Sequence, residues 1–276
     1  MNKVTANADR DRFQNEADKY AAYLETAEGR LRLDLPLANL QEFLQLPRDE
    51  SPLRALDLGC GTGANGLRLA EFGFHVILLD SSPAMLDIAR RAARKAGIMD
   101  KVETKQSDAD QVSNLFDAGS FDVILCHNVL EFVDDPNVVL RSAARALRNS
   151  SAILSLLVRN RAGEVLKAAI LAGDLAAAEQ NLTTEWGNEA LSGGRVRLFT
   201  PHTTRAMLKD ASLSVIAERG VRVVSDYLSP RVSLSAEYEQ VFELERRLGN
   251  RPDFAAVARY THFLAHRADP VIRNGT

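Results

Sequence analysis

Apolar runs bounded by polar or glycine residues recur along the chain. The longer runs do not alternate strictly between apolar and polar positions, which is typical of strands buried on both faces of a parallel sheet. Together with three shorter candidates they predict seven strands, at 53–58, 74–79, 102–106, 121–126, 151–158, 213–218 and 258–266.

Helical patterns separate the early strands, at 64–72, 83–96 and 136–148. The second and third begin with a proline directly after Ser82 and Asp135, and a proline after such a cap residue is a good helix start signal. This alternation of strands and helices predicts a doubly wound α/β sheet with right-handed crossovers.

Three further segments have helical patterns outside this alternation. Residues 1–45 precede the first strand, 161–212 contain a Gly-Gly turn at 193–194, and another helix is expected at 235–248. We expect 1–45 to form a helical lid segment. The remaining residues, 46–276, would then form one domain in which the mostly helical insertion at 161–212 builds a substrate wall.

The composition narrows the class of protein. The chain has 276 residues, 46% of them hydrophobic and 26% charged, which excludes a disordered or low-complexity protein. No run approaches the roughly 18 apolar residues of a membrane span, and the polar first residues do not resemble a secretory signal. Cys60 and Cys126 are too few for a disulfide framework or a metal cluster. We expect a cytoplasmic protein with reduced thiols and neither a membrane nor a metal partner.

The charges are unevenly distributed. The net charge is −3, with 15 Lys/Arg against 23 Asp/Glu in residues 1–140 and 19 against 14 in residues 141–276. The overall sign argues against nucleic-acid binding through bulk charge alone. The asymmetry suits an acidic cofactor half joined to a half that receives an anionic substrate, and chance scatter of surface charge is the alternative.

A glycine-rich turn, LDLGCGTG at 56–63, joins the first predicted strand to the first helix. Glycine permits such a tight turn and lets the backbone approach a ligand closely. Asp80 ends the second strand, where a carboxylate can accept hydrogen bonds from both ribose hydroxyls. Asp80 could instead cap the next helix. Nicotinamide enzymes, flavoproteins and methyltransferases all share this pattern.

Two other carboxylates favour S-adenosylmethionine (SAM) over a dinucleotide. Asp57 beside the turn cannot help to bind a pyrophosphate but suits the cationic methionine end of SAM, and a structural hydrogen bond to the loop is an equal alternative. Asp108, after the third strand, is positioned to accept from an adenine amino group. A nicotinamide-dependent oxidoreductase and a non-catalytic nucleotide-binding module are the alternatives from other classes.

Four motifs together resemble the class I SAM-dependent methyltransferases: LDLGCGTG at 56–63, LLDSSPAMLDIA at 78–89, QSDAD at 106–110 and FDVILCHNVLEFVDDP at 121–136. The resemblance implies SAM as cofactor and a mostly parallel, seven-stranded, Rossmann-like sheet whose last strand is antiparallel. The cofactor-binding residues it implies are Asp57, Gly59, Cys60, Gly61, Gly63, Asp80, Ser81, Met85 and Asp108.

Over residues 20–267 the chain further resembles the tRNA 5-carboxymethoxyuridine methyltransferase (CmoM) family. That resemblance rests on EGRLR at 28–32, GVRV at 220–223 and ARYTH at 258–262, besides the motif after the fourth strand. It implies esterification of a carboxylate on the wobble uridine of tRNA. It also implies that Arg32 and His127 contact the cofactor.

Each of these residues also has a structural interpretation. Arg32 could hold the carboxylate of SAM in a planar fork or form a surface salt bridge. His127 ends a strand where ligands bind in open α/β sheets, or is a structural histidine. His262 is expected to be structural, and Trp186 and Phe199 to pack in the core or lid.

Methyl transfer from a sulfonium mainly requires alignment of the reacting atoms. A carboxylate acceptor needs no general base, and because the sequence shows no catalytic dyad we expect positioning residues only. Candidates for binding an anionic acceptor, with pairing to surface glutamates as the alternative, are Arg197, Arg222, Tyr227 and Arg259. A small-molecule acid or amine is the alternative acceptor.

Overall fold

The computed structural model describes residues 16–44, 53–188, 194–229 and 237–268. Its main sheet has seven strands in the order β3-β2-β1-β4-β5-β9-β8. All neighbours are parallel except β9, which is antiparallel to both β5 and β8. The doubly wound, mostly parallel, Rossmann-like prediction is therefore confirmed. The strands are β1 (Arg54–Leu58), β2 (His75–Asp80), β3 (Val102–Gln106), β4 (Val123–His127), β5 (Ile153–Arg159), β8 (Leu213–Val221) and β9 (Tyr260–Arg267), with β6 and β7 in a separate ribbon.

Helices flank the sheet and precede it. Ser82 and Asp135 cap two of them by accepting hydrogen bonds from backbone N–H groups, as predicted. The helices are α1 (Ala17–Leu24), α2 (Ala27–Gln41), α3 (Ala64–Glu71), α4 (Pro83–Ala96), α5 (Val112–Leu115), α6 (Pro136–Ala146), α7 (Arg161–Leu166), α8 (Leu175–Asn181), α9 (Pro201–Asp210), α10 (Tyr238–Gly249) and α11 (Pro252–Ala255). Among the described residues no helix is long and apolar enough to cross a membrane.

The core lies on both faces of the sheet because successive strand residues point to opposite sides. In β4, Ile124 and Cys126 pack in the cluster that includes α6. Val123 and Leu125 pack in the cluster that includes α3 and α4. Burial on both faces explains why the strands read as continuous apolar runs.

The N-terminal helices pack on the end of the sheet where β5 and β8 finish. Leu31 and Leu35 of α2 form a small buried cluster with Leu157, Val221 and Tyr260. Residues 1–15 and residue 45 of the predicted lid segment lie outside the described residues. The role of this segment as a lid stays a prediction.

The insertion at 161–212 contains more than the expected helices. Between α8 and α9 lies an antiparallel ribbon of β6 (Trp186–Asn188) and β7 (Arg195–Arg197). The described part of the insertion is mostly helical, as predicted, but the ribbon was missed because strands of three residues are too short for a periodic signal. Of the predicted Gly-Gly turn, Gly194 has a positive φ of 92° and Gly193 lies outside the described residues.

Candidate cofactor and acceptor site

A cavity of about 320 Å³ opens at the carboxyl ends of β1 to β5. The strand order reverses between β1 and β4, and ligands of open α/β sheets bind at such a switch point. The volume lies in the usual range for small-molecule sites. Eight of the predicted cofactor residues line it: Arg32, Gly59, Gly61, Asp80, Ser81, Met85, Asp108 and His127.

The glycine-rich turn forms one wall of the cavity. Gly59, Gly61 and Gly63 all have positive φ, between 52° and 78°. A Cβ on Gly59 would lie 2.5 Å from a methyl of Val129, so this backbone is pressed against the loop after β4. Gly63 does not line the cavity, and a Cβ there would lie 3.0 Å from Ala89 of α4. Gly63 therefore serves packing between helices.

Asp80 anchors the turn and the next helix together. Its Oδ2 accepts from the Gly61 N–H at 2.8 Å, and its Oδ1 accepts from the Ser82 N–H at 2.8 Å. Burial raises the pKa of Asp80, opposed by these backbone hydrogen bonds. Each carboxylate oxygen has a second lone pair, so the capping and ligand-binding interpretations are compatible.

Asp57 and Cys60 border a smaller cavity of about 30 Å³ beside the main one. Asp57 accepts a hydrogen bond from the Gly66 N–H at 2.9 Å, and burial raises its pKa to about 7. This hydrogen bond to the first turn of α3 supports the structural interpretation of Asp57. Burial also raises the pKa of the Cys60 and Cys126 thiols well above the ordinary value, so both are neutral.

Arg32 lies inside a cage of aromatic rings. It is 7% exposed, donates to the Tyr20 hydroxyl, and its guanidinium carbon lies 5.0 Å from the centre of the Tyr23 ring. No carboxylate among the described residues forms a salt bridge with it. The surface salt-bridge alternative was therefore wrong, and a guanidinium without a counter-ion lines the cavity.

His127 belongs to a buried chain of hydrogen bonds. Its Nδ1 meets the Asn65 amide at 3.1 Å and its Nε2 meets the Ser155 hydroxyl at 2.9 Å. Ser155 continues to His262 at 2.8 Å, and His262 to Asn39 at 3.2 Å. Because Nδ2 of each asparagine donates to an Nδ1, both neutral rings carry their proton on Nε2, and the oxygen of the Ser155 hydroxyl accepts from both.

The chain of hydrogen bonds leaves neither ring nitrogen of His127 free for a ligand. Burial and then the Arg32 charge lower the pKa of His127 to about 3, so the ring is neutral at neutral pH. His127 therefore lines the cavity without an unengaged ring nitrogen and cannot act as a base in this arrangement. His262 is structural in this chain, as expected.

Of the charged residues on the cavity surface that were not predicted, Glu131 and Arg159 are the buried ones. Oε1 of Glu131 accepts from the Arg159 N–H at 2.7 Å and from Nδ2 of Asn128 at 3.1 Å. Burial raises the pKa of Glu131, against these hydrogen bonds and the Arg159 charge. Arg159 ends β5 at the sheet edge where His127 ends β4, so the rule that selected His127 could have found it.

None of the four predicted acceptor residues lines the cavity, and three are engaged elsewhere. Arg259 forms ion pairs with Glu164 at 2.8 Å and with Asp226 at 3.7 Å. Arg222 donates to Asp226 at 2.7 Å, and the Tyr227 hydroxyl donates to a backbone carbonyl at 3.4 Å. Both arginines pair with buried acids, not with the surface glutamates considered as their alternative.

Arg197 lies near the cavity rim. Its guanidinium donates to the carbonyls of Val133 and Asp134, both at 3.4 Å, and these two residues line the cavity. The same guanidinium lies 5.1 Å from the centre of the Trp186 ring. Trp186 therefore packs within the ribbon, and Phe199 is buried in the core, as expected.

The buried phenol of Tyr260 marks a concentration of positive charge beside the cavity. Burial raises its pKa, but the surrounding guanidiniums outweigh burial and the net shift is downward. Two carboxylates, Glu164 and Asp226, form ion pairs in this group. The arginines around the phenol outnumber these two carboxylates, so positive charge is in excess beside the cavity. The four are Arg32, Arg159, Arg222 and Arg259.

The set of donors fits SAM better than a metal. Among the described residues no group of three or more His, Cys, Asp or Glu side chains could hold a metal ion. The positive-φ glycines leave room for a close ligand, Asp80 offers acceptors for a diol, and Arg32 offers a fork for a carboxylate.

Known proteins agree with this description. A family model described as a methyltransferase domain matches residues 56–155. A solved SAM-dependent methyltransferase from Methanosarcina mazei is 20% identical, with a TM-score of 0.57 over 84% of this chain and 98% of that chain. The protein is a class I SAM-dependent methyltransferase, and SAM is its cofactor. Both similarities favour this class over the nicotinamide-enzyme and binding-module alternatives.

Two curated relatives indicate which methyltransferase family the chain belongs to. The tRNA 5-carboxymethoxyuridine methyltransferase of Escherichia coli K12 is 30% identical over 256 residues, which are 92% of this chain and 95% of the relative. A ubiquinone biosynthesis O-methyltransferase of Xanthomonas axonopodis is 29% identical over 155 residues, 54% of this chain and 62% of the relative. The chain belongs to the family of the tRNA 5-carboxymethoxyuridine methyltransferases.

Proposed function

We propose that this methyltransferase esterifies the carboxylate of 5-carboxymethoxyuridine at the wobble position of tRNA. The observation that carries the proposal is the group of buried guanidiniums around the Tyr260 ring, which outnumber the carboxylates they pair with and of which Arg159 lines the cavity. The near full-length similarity to the E. coli relative supports it. A cytoplasmic location, where tRNA is found, is part of the proposal.

The residues on the cofactor side have separate roles in the proposal. Asp80 accepts from the ribose hydroxyls, Asp108 receives the adenine amino group, and Arg32 holds the carboxylate. When bound, SAM supplies a methyl group already activated by the sulfonium. Ser81, Met85 and the glycine-rich turn fix its position and exclude water, and this alignment is the main catalytic contribution of the protein.

Arg159 would hold the acceptor. A carboxylate is ionised at neutral pH and attacks without a general base, which agrees with a neutral His127 whose two nitrogens are engaged. A guanidinium binds a carboxylate in a planar fork and fixes its direction. Arg159 therefore orients the attacking oxygen while the surrounding charge stabilises the bound anion.

The test uses SAM with a labelled methyl group. The protein is offered tRNA from cells lacking this terminal methylation, beside a small-molecule extract of the same cells. We expect label in tRNA that mild alkali releases as methanol, because methyl esters hydrolyse easily. Transfer should fall steeply with added salt, since phosphate contacts dominate RNA binding. Label only in the extract would refute the tRNA substrate and leave the methyltransferase intact.

A small-molecule acid or amine is the second candidate acceptor, favoured by the charge around the cavity. Three basic residues, Lys19, Arg32 and Arg159, line the cavity. An acidic rim repels a polyanion, so a small acceptor would enter more easily. The acidic lining residues are Glu16, Asp80, Asp108, Asp110, Glu131, Asp134 and Asp135.

A further inference from the structure

Glu131 is a buried carboxylate that reaches the cavity with only one of its oxygens engaged. The residue is 2% exposed. Its Oε1 accepts the two hydrogen bonds that tie it to Asn128 and to the backbone of Arg159. These contacts join the loop after β4 to the end of β5, so the carboxyl group has a fixed orientation.

The other oxygen, Oε2, has no hydrogen-bond partner among the described residues, although the atom is buried. Buried polar atoms in proteins are almost always hydrogen-bonded, and an exception on a cavity wall points to a ligand. The lining residues next along the chain, Phe132 and Val133, are apolar and offer no side-chain donor. A ligand group in this part of the cavity would therefore meet an acceptor.

We propose that Oε2 of Glu131 accepts a hydrogen bond from the ring N–H of the uracil base of the methyl acceptor, which makes Glu131 a specificity-determining residue. This inference rests on the proposed function. The uracil edge has a single N–H between two carbonyls, and the reacting carboxylate lies on the 5-substituent, away from that N–H. Glu131 would thus read the base while Arg159 holds the carboxylate, and the two carboxylates need not approach each other.

The substitution Glu131→Gln tests this role with little change of shape. Two N–H donors already occupy Oε1, so the amide oxygen must take that place to keep both hydrogen bonds. The amide NH2 then points into the cavity, and an acceptor becomes a donor facing another donor. We expect KM for the acceptor tRNA to rise about tenfold or more, with unchanged S-adenosylhomocysteine affinity and melting temperature.

Glu245 provides a matched control. It is fully buried and lies outside the cavity, and its two oxygens accept backbone N–H groups of Val223, Val224 and Ser225 at 2.6 to 2.9 Å. Glu245→Gln replaces an acceptor by a donor beside these N–H groups. It should lower the melting temperature and leave the acceptor KM unchanged, the reverse of the result for Glu131→Gln.

An anticodon stem-loop methylated at N3 of the wobble base identifies the donor. The methyl group should raise KM strongly for the wild-type protein and much less for Glu131→Gln. An equal effect in both proteins, an unchanged KM in the variant, or a lower kcat at unchanged KM would each overturn the role of Glu131 while the tRNA substrate stands. Wild-type protein that labels no tRNA would overturn both proposals.

Discussion

The two sides of the cavity hold their charged groups in opposite ways. On the cofactor side, the carboxylates of the buried Asp57 and the half-buried Asp80 accept hydrogen bonds from backbone N–H groups, and no cation among the described residues pairs with them. On the acceptor side, the guanidiniums of Arg159, Arg222 and Arg259 surround the phenol and outnumber the two carboxylates with which they pair. One side thus has acids without a paired cation, and the other has more arginines than paired acids.

This contrast indicates what each side can bind. A ligand with a sulfonium and an ammonium would bring positive charge to the side that has acids without a paired cation, and an anionic acceptor would bring negative charge to the side with the excess of arginines. Burial strengthens both preferences, because an uncompensated charge is most costly where water is excluded. The arrangement therefore favours transfer from a cationic donor to an anionic acceptor.

The largest expected effect concerns Asp57. Because its pKa is about 7 in the folded protein and about 4 when unfolded, folding favours the protonated form. The contribution of Asp57 to the free energy of unfolding is fully present below pH 4. It is lost as the pH rises to 7, and the loss is about 4 kcal/mol at most. Asp57→Asn keeps an acceptor for the Gly66 N–H and removes this loss. Urea unfolding without ligand should show that the free energy of unfolding of the variant increases relative to the wild type as the pH rises from 4.5 to 8.

The control is Asp87, an exposed carboxylate in a surface ion pair with Arg90. Asp87→Asn should show no such divergence from the wild type. Parallel stability curves for Asp57→Asn and the wild type would mean that Asp57 is ionised and compensated in the folded state. The cofactor side would then not lack a cation.

The next effect separates the two buried arginines on the cavity surface. Arg159→Gln should lower kcat/KM for the acceptor about 30-fold and leave S-adenosylhomocysteine affinity within about threefold, since one charge-assisted fork is lost. Arg32→Gln should have the opposite effect: it should lower the affinity for S-adenosylhomocysteine more than it lowers kcat/KM for the acceptor. Glu164 stays paired with Arg259 in the former variant, so its charge is not stranded. Calorimetry and transfer kinetics measure the two quantities.

Both variants weakening the same ligand would show that the cavity has a single charged end. The division into a cofactor side and an acceptor side would then be wrong. If Arg159→Gln had no effect on either ligand, the excess positive charge would be structural only.

The residues of the cofactor side could be predicted from the sequence more completely than those of the acceptor side. Each contact of Asp80 and Asp57 joins residues at most 19 positions apart, and these contacts lie within one strand-turn-helix pattern. Motif reasoning therefore found that side, together with the strands and most helices. Asp57 itself proved more structural than its position beside the turn suggested.

The acceptor side depends on distant partners. Arg222 meets Tyr23, 199 positions away, and Arg259 meets Glu164. Arg159 also pairs with Glu164, so no local pattern indicates which of the paired arginines lines the cavity as well. The sequence therefore named Arg222 and Arg259, whereas Arg159 lies on the cavity surface.

The smallest expected effect tests whether the buried chain through Ser155 supports both sides. Ser155→Ala leaves Nε2 of His127 and of His262 without a partner, so unfolding should require about 1–3 kcal/mol less. Because His127 lines the cavity, the affinity for S-adenosylhomocysteine should also fall, by about threefold. Urea unfolding and calorimetry measure the two effects. Ser155→Thr retains the hydroxyl and should recover most of the affinity if the hydrogen bonds hold the ring. Equal losses in both variants would instead assign the effect to packing in the fully buried interior of β5.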